Sequence, residues 1–192
     1  MCLVRSVILF LFAAAAAGTG LEFRWHIRSP LWEVKTLEDG FIPNVIPVAT
    51  TVQAQVSLSS PPPVRQRWER LASDRTLYVL DARLVMAMED LDRDYKLTIE
   101  DLHTGAEMYA EIPDPAVFGP MRYRPEFESA RRIIDSLAGR PPGYSGIQFR
   151  PPVRVRITGM GFFDQEHYVP SDGTAPNNRE IHPVLTIKLL PQ

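Results

Sequence analysis

Histidine and carboxylate side chains are concentrated near the C-terminal end of the chain. His167 and His182 flank the loop between two predicted strands, and Asp164 precedes them closely in sequence. Imidazole and carboxylate groups together can ligate a divalent metal or exchange a proton. Asp164, His167 and His182 are therefore candidate metal ligands. The sequence requires no cofactor, and a divalent metal is the one cofactor that it allows.

His182 also has a structural interpretation, because it stands directly before Pro183. A proline holds the preceding residue in an extended conformation, so the imidazole is aimed by a stiff backbone. One ring nitrogen would then bond a backbone group or a loop carboxylate such as Asp164, and this bond would hold the loop closed. We favour this structural role over metal binding.

A second acidic group alternates along the chain, at Asp90, Asp92 and Asp94. The first three ligands of a calcium-binding loop have the same spacing, but the sixth position of such a loop is glycine, whereas here it is Tyr95. The better interpretation is a solvated hairpin turn. Asp92 and Asp94 remain candidates for binding a ligand.

Three further side chains are expected to point outward from predicted strands. Arg154 and Arg156 alternate on one strand, and Tyr109 lies on another, where its ring would be placed to stack on a ligand. Acidic loops flank this surface and the formal net charge of the chain is −2, so phosphate would be repelled. The pattern disfavours nucleic acid as a partner and leaves a protein, peptide or saccharide.

The elements that position these residues are mostly strands. Alternating apolar and polar residues predict strands at 77–88, 95–100, 107–112, 153–164 and 180–189. The residues of the first strand expected to share one, core-facing side are Tyr78, Leu80, Ala82, Leu84, Met86 and Met88.

One helix is predicted between the third and fourth strands. It begins near Pro125, carries Phe127, Ala130, Ile134 and Leu137 at helical spacing, and ends at Gly139. Three strands, a helix and two strands is the order of the OB-fold, a five-stranded Greek-key barrel. The predicted fold class is therefore mainly β, an OB-fold-like barrel preceded by an extended N-terminal arm.

The start of the chain has the order of a secretory signal peptide. Residues 1–20 combine Arg5, an apolar run at 7–17 and small residues up to Gly20. The apolar run is shorter than the roughly 20 residues that a membrane span needs. We therefore expect cleavage, export to the periplasm or the medium, and no stable membrane span afterwards.

The remaining chain divides into two parts. Residues 21–75 are rich in proline and predict an extended arm, and residues 76–192 form the OB-fold-like domain. Cys2 is the single cysteine and lies in the predicted signal peptide. The mature protein is therefore expected to have neither a disulfide nor a thiol nucleophile.

Four blocks of the sequence resemble a set of uncharacterised bacterial exported proteins. They read D-R-D-Y-K-L at 92–97, E-I-P-D-P at 111–115, G-M-G-F-F-D at 159–164 and E-I-H-P-V at 180–184. The family pattern is approximately D-x-D-Y-H-L, E-I-P-x-P, G-x-G-F-F-D and E-L-H-P-V, so this chain departs from it at Lys96. The resemblance implies an exported protein with this fold, and it implies no activity.

The sequence contains no Gly-rich phosphate loop, no G-x-S-x-G and no H-E-x-x-H motif. It therefore predicts an exported, non-enzymatic binding or structural module. The alternative is an exported metal-dependent hydrolase, nuclease-like, on an OB barrel. Its carboxylates would be Asp92, Asp94 and Glu111, with Arg83 as the cationic partner.

Overall fold

The computed structural model describes residues 31–62, 69–116, 120–164 and 173–191. The predicted signal peptide at residues 1–20 and the candidate ligand His167 lie outside these ranges. The strands are β1 (Val48–Ala49), β2 (Leu77–Glu89), β3 (Tyr95–Asp101), β4 (Glu107–Ile112), β5 (Ile147–Phe163) and β6 (Arg179–Leu189). The helices are α1 (Trp32–Lys35), α2 (Val52–Val56) and α3 (Arg124–Ala138), with a 3₁₀ turn at Ala72–Asp74.

The six strands form one mixed sheet, and five of them close into a ring. The order is β1-β2-β3-β4-β6-β5, and β5 pairs again with β2. Most pairs in the ring are antiparallel, but β4 and β6 run parallel. The closure is uneven, because β2 and β5 are paired over much of their length whereas β4 meets β6 at Tyr109 with Glu180 and Ala110 with Ile181. The prediction of a mainly β fold is confirmed.

A bulge in β2 changes which side chains face the core. Leu80, Ala82 and Leu84 are buried as alternation predicts, and the register then shifts between Leu84 and Met86. An extra residue in one strand reverses the alternation beyond it, so Ala87 is buried and Met86 is not. The expectation that Met86 and Met88 face the core is therefore wrong.

Strand β5 begins six residues before its predicted start, at Ile147. Its register with β2 jumps from Gln148 opposite Met86 to Val153 opposite Leu84. The intervening prolines therefore lie in an irregular part of the strand, where a missing N–H breaks no ladder hydrogen bond. The same prolines hid this part of the strand from the alternation pattern.

Helix α3 forms where the sequence predicts a helix, and it packs on the core. Pro125 lies in its first turn, and Gly139 ends it with a left-handed φ of 71°. Phe127, Ala130 and Ile134 are buried in the main core. The phenol of Tyr95 donates a 2.9 Å hydrogen bond to Asp135 and ties the helix to β3.

The segment before β2 packs closely on the ring. It contains α1, β1 and α2 rather than extended chain alone. Leu37 and Val52 belong to the main core, while Leu31 and Val34 form a smaller apolar cluster with Phe162. Within the described ranges no helix is long and apolar enough to cross a membrane.

Candidate metal centre

Strand register brings chemically active side chains together on the outer face of β3, β4 and β6. Ile112 and Ile181 belong to the core, so their neighbours Glu111, Glu180 and His182 point the other way. The parallel pairing of Ala110 with Ile181 places Glu111 beside His182. Opposite Glu111 on β3 stands Lys96. Alternation and register alone therefore assemble a polar face.

This polar face is covered and not solvated. His182 is fully buried, and Glu111 and Glu180 are 4% and 3% exposed. Phe162 of β5 packs its ring against the imidazole, with 5.8 Å between centroids. Lys35 of α1 reaches in from the N-terminal segment. Buried ionisable groups must be paired, protonated or bound to a cation, because an isolated charge is costly to bury.

His182 is surrounded by three carboxylates. Its Nδ1 lies 3.0 Å from Glu111 Oε2 and 3.1 Å from Glu180 Oε1. Its Nε2 is 3.4 Å from Asp94 Oδ2 and makes no hydrogen bond to any described residue. Asp94 is held in place because its other oxygen accepts a 2.9 Å hydrogen bond from the Asp114 N–H. Asp94, Glu111 and His182 each offer a ligand atom, and these atoms lie within 4.8 Å of one another.

Two lysines supply positive charge at the same place. Lys35 Nζ is 3.4 Å from Asp164, 3.9 Å from Glu180 and 4.0 Å from Glu111. Lys96 Nζ is 3.4 Å from the other oxygen of Glu111 and also contacts the carboxylate of Asp90. Among the described residues, these lysines and His182 face a larger set of carboxylates: Asp90, Asp92, Asp94, Glu111, Asp164 and Glu180.

Burial and the surplus of negative charge raise the pKa of two carboxyl groups in the cluster. Burial, together with the charges of Glu111 and Asp164, raises the pKa of Glu180 to about 7. Burial and the neighbouring charge of Asp94 raise the pKa of Asp92 to about 6. In the metal-free protein, protons therefore neutralise part of the charge that the lysines leave unbalanced.

Glu111 and His182 form the ionised pair of the cluster. Burial by itself would raise the pKa of Glu111, but the Lys35 charge and the bond from His182 outweigh it and lower that pKa. Burial and the Lys35 charge oppose protonation of His182, yet the carboxylates around the ring raise its pKa well above the usual value. Without a metal, the imidazole thus acts as a cation between carboxylates.

The structure brings Asp94 and His182 together, which the sequence interpretation kept apart. Asp164 reaches the same cluster through Lys35. The aspartates of the 90–94 segment were expected in a solvated turn, but Asp94 is only 9% exposed because it is turned toward His182 and the Asp114 N–H. Asp92 influences the cluster electrostatically.

The other candidate ligand-binding residues lie elsewhere or are covered. Tyr109 was expected to be outward and open, but it is 6% exposed, because the chain at Gly173 lies against its ring. Arg156 is paired with Asp81 by hydrogen bonds of 2.6 and 2.8 Å. Arg154 donates to the carbonyl of Pro191. Arg154 and Arg156 are therefore engaged by other groups, whereas the Tyr109 ring lies beside the cluster, 5.0 Å from Nζ of Lys96.

Arg83, the cationic residue of the hydrolase hypothesis, is also engaged elsewhere. It pairs with Glu100 and donates to the carbonyls of Asp101 and Leu102. Lys35 was not singled out from the sequence, because its approach to the cluster depends on a contact between residues 129 positions apart. Glu111 was already a candidate carboxylate of the hydrolase alternative, and Glu180 could have been found from its outward position in an alternating strand.

Comparisons with protein-family models, with curated proteins and with solved structures gave no match for this chain. The resemblance to bacterial exported proteins therefore stays a prediction.

Proposed function

We propose that the protein is an exported, OB-fold-like binding module whose ligand is a divalent cation held by Asp94, Glu111 and His182. The observation that carries this proposal is the fully buried Nε2 of His182, which has no hydrogen-bond partner in the described chain and faces a carboxylate. A buried polar atom without a partner is costly, and a metal ion would satisfy it.

The donor set favours a particular kind of cation. One imidazole and two carboxylates suit Zn²⁺ or Mn²⁺ better than Mg²⁺, which prefers oxygen ligands and keeps several waters. Nε2 would release its proton and ligate the ion, and the N–H at Nδ1 would remain bonded to Glu180 Oε1, 3.1 Å away. A carboxylate in this position orients a ligating histidine and raises its basicity.

The connectivity of the ring supports the OB-fold part of the proposal. The strand order around the ring is β2-β3-β4-β6-β5 and back to β2, and along the chain helix α3 lies between β4 and β5. OB-folds bind ligands on the face of their second and third strands, flanked by the loop between the first two strands and the loop between the last two. Asp94, Glu111 and Asp164 occupy the corresponding places here. Export rests on the pattern of residues 1–20.

The proposal is tested with purified protein that has been stripped of metal by a chelator. We expect Zn²⁺ or Mn²⁺ to bind with one-to-one stoichiometry in calorimetry and to raise the melting temperature. His182→Ala should lose both effects. His103→Ala is the matched control, because His103 is exposed and should leave them unchanged. Absence of binding by the unmutated protein, or equal binding by His182→Ala, would contradict the proposal.

A metal-dependent hydrolase is the second candidate, favoured by the convergence of Asp94 and Glu111 with the nearby charge of Asp92. The engagement of Arg83 with Glu100 counts against it. Incubation with single-stranded DNA and Mn²⁺ distinguishes the two. Cleavage that disappears in Glu111→Gln would replace the binding module by the hydrolase, and the binding proposal predicts no cleavage.

A further inference from the structure

A cationic side chain of the protein's own is fixed beside the proposed metal centre. Lys35 is buried, with its side chain 10% exposed, and its ammonium lies among Asp164, Glu180 and Glu111. Its Nζ is also 5.4 Å from the centre of the Phe162 ring. A lysine at neutral pH carries a full positive charge. Lys35 therefore places a positive charge in the cluster before any metal binds.

Glu111 is close both to the Lys35 ammonium and to the proposed metal position. Its Oε2 is 3.0 Å from Nδ1 of the His182 ring, whose Nε2 would ligate the metal, and 4.0 Å from Nζ of Lys35. A metal ion that uses Glu111 would therefore stand close to an ammonium of the same sign. Two like charges at such a separation repel strongly where water is largely excluded.

Lys35 is held in this position by contacts other than those of its ammonium. Leu31, which precedes α1, and Val34 within α1 pack against Phe162. The carbonyl of Val34 accepts a 2.6 Å hydrogen bond from Arg70, and Leu37 is buried in the main core. The ammonium is therefore presented to the cluster by a docked segment, and removing it should leave that segment in place.

We propose that Lys35 is an affinity-setting residue of this centre: its ammonium competes electrostatically with the divalent cation for Glu111. This inference rests on the proposed function. The ammonium neutralises part of the carboxylate surplus when the centre is empty, and it limits how tightly a metal binds when the centre is filled. Lys35 is a positioning charge and not a ligand, so the metal should bind without it, and more tightly.

The test measures the Zn²⁺ dissociation constant of four proteins by competition with a chromogenic chelator. Lys35→Met removes the charge and retains the length of the side chain, and Lys35→Arg retains the charge. Lys188→Met is the matched control, because Lys188 is exposed on β6. We expect Lys35→Met to bind Zn²⁺ at least about tenfold more tightly than the unmutated protein. Lys35→Arg and Lys188→Met should bind within about threefold of the unmutated protein.

A second measurement avoids any loss of folding in the variants. In the unmutated protein with ¹³C-methylated lysines, Zn²⁺ should shift the signal of Lys35 and leave that of Lys188 in place. Equal or weaker binding of Zn²⁺ by a folded Lys35→Met variant would overturn this inference without contradicting the proposed metal centre. A Lys35 signal that does not shift when Zn²⁺ binds would have the same consequence. If none of the four proteins binds Zn²⁺, the proposed function itself fails.

Discussion

Glu111 and Glu180 both contact Nδ1 of His182, yet they should respond oppositely to neutralisation. Glu111 is ionised, because its pKa is lowered by Lys35 and His182, whereas burial and nearby charges raise the pKa of Glu180 to about 7. At pH 6 in the presence of a chelator, Glu180 is therefore mostly a neutral acid. The substitutions Glu111→Gln and Glu180→Gln remove a charge in the first case and almost none in the second.

The size of the difference follows from the contacts. Removing one partner of a buried ion pair typically costs about 3–5 kcal/mol, because a charge is left unpaired. Glu180 offsets part of that cost, since it lies 3.1 Å from His182 and 3.9 Å from Lys35 and ionises more readily once Glu111 is neutral. We expect Glu111→Gln to lower the free energy of unfolding by about 2 kcal/mol. Glu180→Gln should change it by less than about 0.5 kcal/mol.

Urea unfolding of the metal-free proteins at pH 6 measures both values. For a domain of this size, the loss in Glu111→Gln corresponds to a drop of roughly 4–8 °C in melting temperature. Equal destabilisation by the two substitutions would refute the assignment of one ionised and one protonated carboxyl group. A larger loss in Glu180→Gln would reverse the assignment.

Three further predictions concern the ring and its surface. Burial raises the pKa of Tyr95 to about 12. As the pH rises, the phenol therefore loses its proton in the unfolded chain before it does so in the folded protein. The contribution of Tyr95 to the free energy of unfolding is complete below pH 10 and is lost as the pH rises toward 12. Urea unfolding should show that the free energy of unfolding falls less between pH 8 and pH 11 in Tyr95→Phe than in the unmutated protein. Ile134→Asp, which buries an unpaired charge in the core, should cost at least about 3 kcal/mol in thermal unfolding, whereas Ser136→Asp on the exposed side of α3 should cost little. Gel-shift assays near physiological salt should show no tight binding of single-stranded DNA, and a strong salt-dependent shift would contradict the electrostatic reasoning.

The parts of the fold that depend on local periodicity could be predicted from the sequence. Helix α3 follows from the spacing of Phe127, Ala130 and Ile134 and from the stop at Gly139, all within one short segment. Strand β4 likewise has its predicted bounds. The bulge after Leu84 could not be predicted, because it is defined by the register of β2 with two other strands, the neighbouring β3 and the distant β5.

In the candidate site, too, the local features could be predicted from the sequence and the long-range contacts could not. The outward position of Glu111 and His182 is a local property of alternating strands. Their contact depends on the parallel register of β4 and β6, which no local pattern encodes. The presence of Lys35 depends on how α1 packs beside Phe162, and the burial of Tyr109 depends on the chain at Gly173. Long-range packing therefore brings polar residues that are far apart in the sequence together in the candidate metal centre.

The most direct test of the metal centre is crystallographic. Crystals of the protein grown with Zn²⁺ should be measured above and below the zinc absorption edge, so that an anomalous difference map locates the ion. We predict one strong peak at about 2.0–2.2 Å from His182 Nε2 and from oxygens of Asp94 and Glu111. A map without a peak among these three side chains, at a Zn²⁺ concentration that saturates the protein in solution, would contradict the proposed centre.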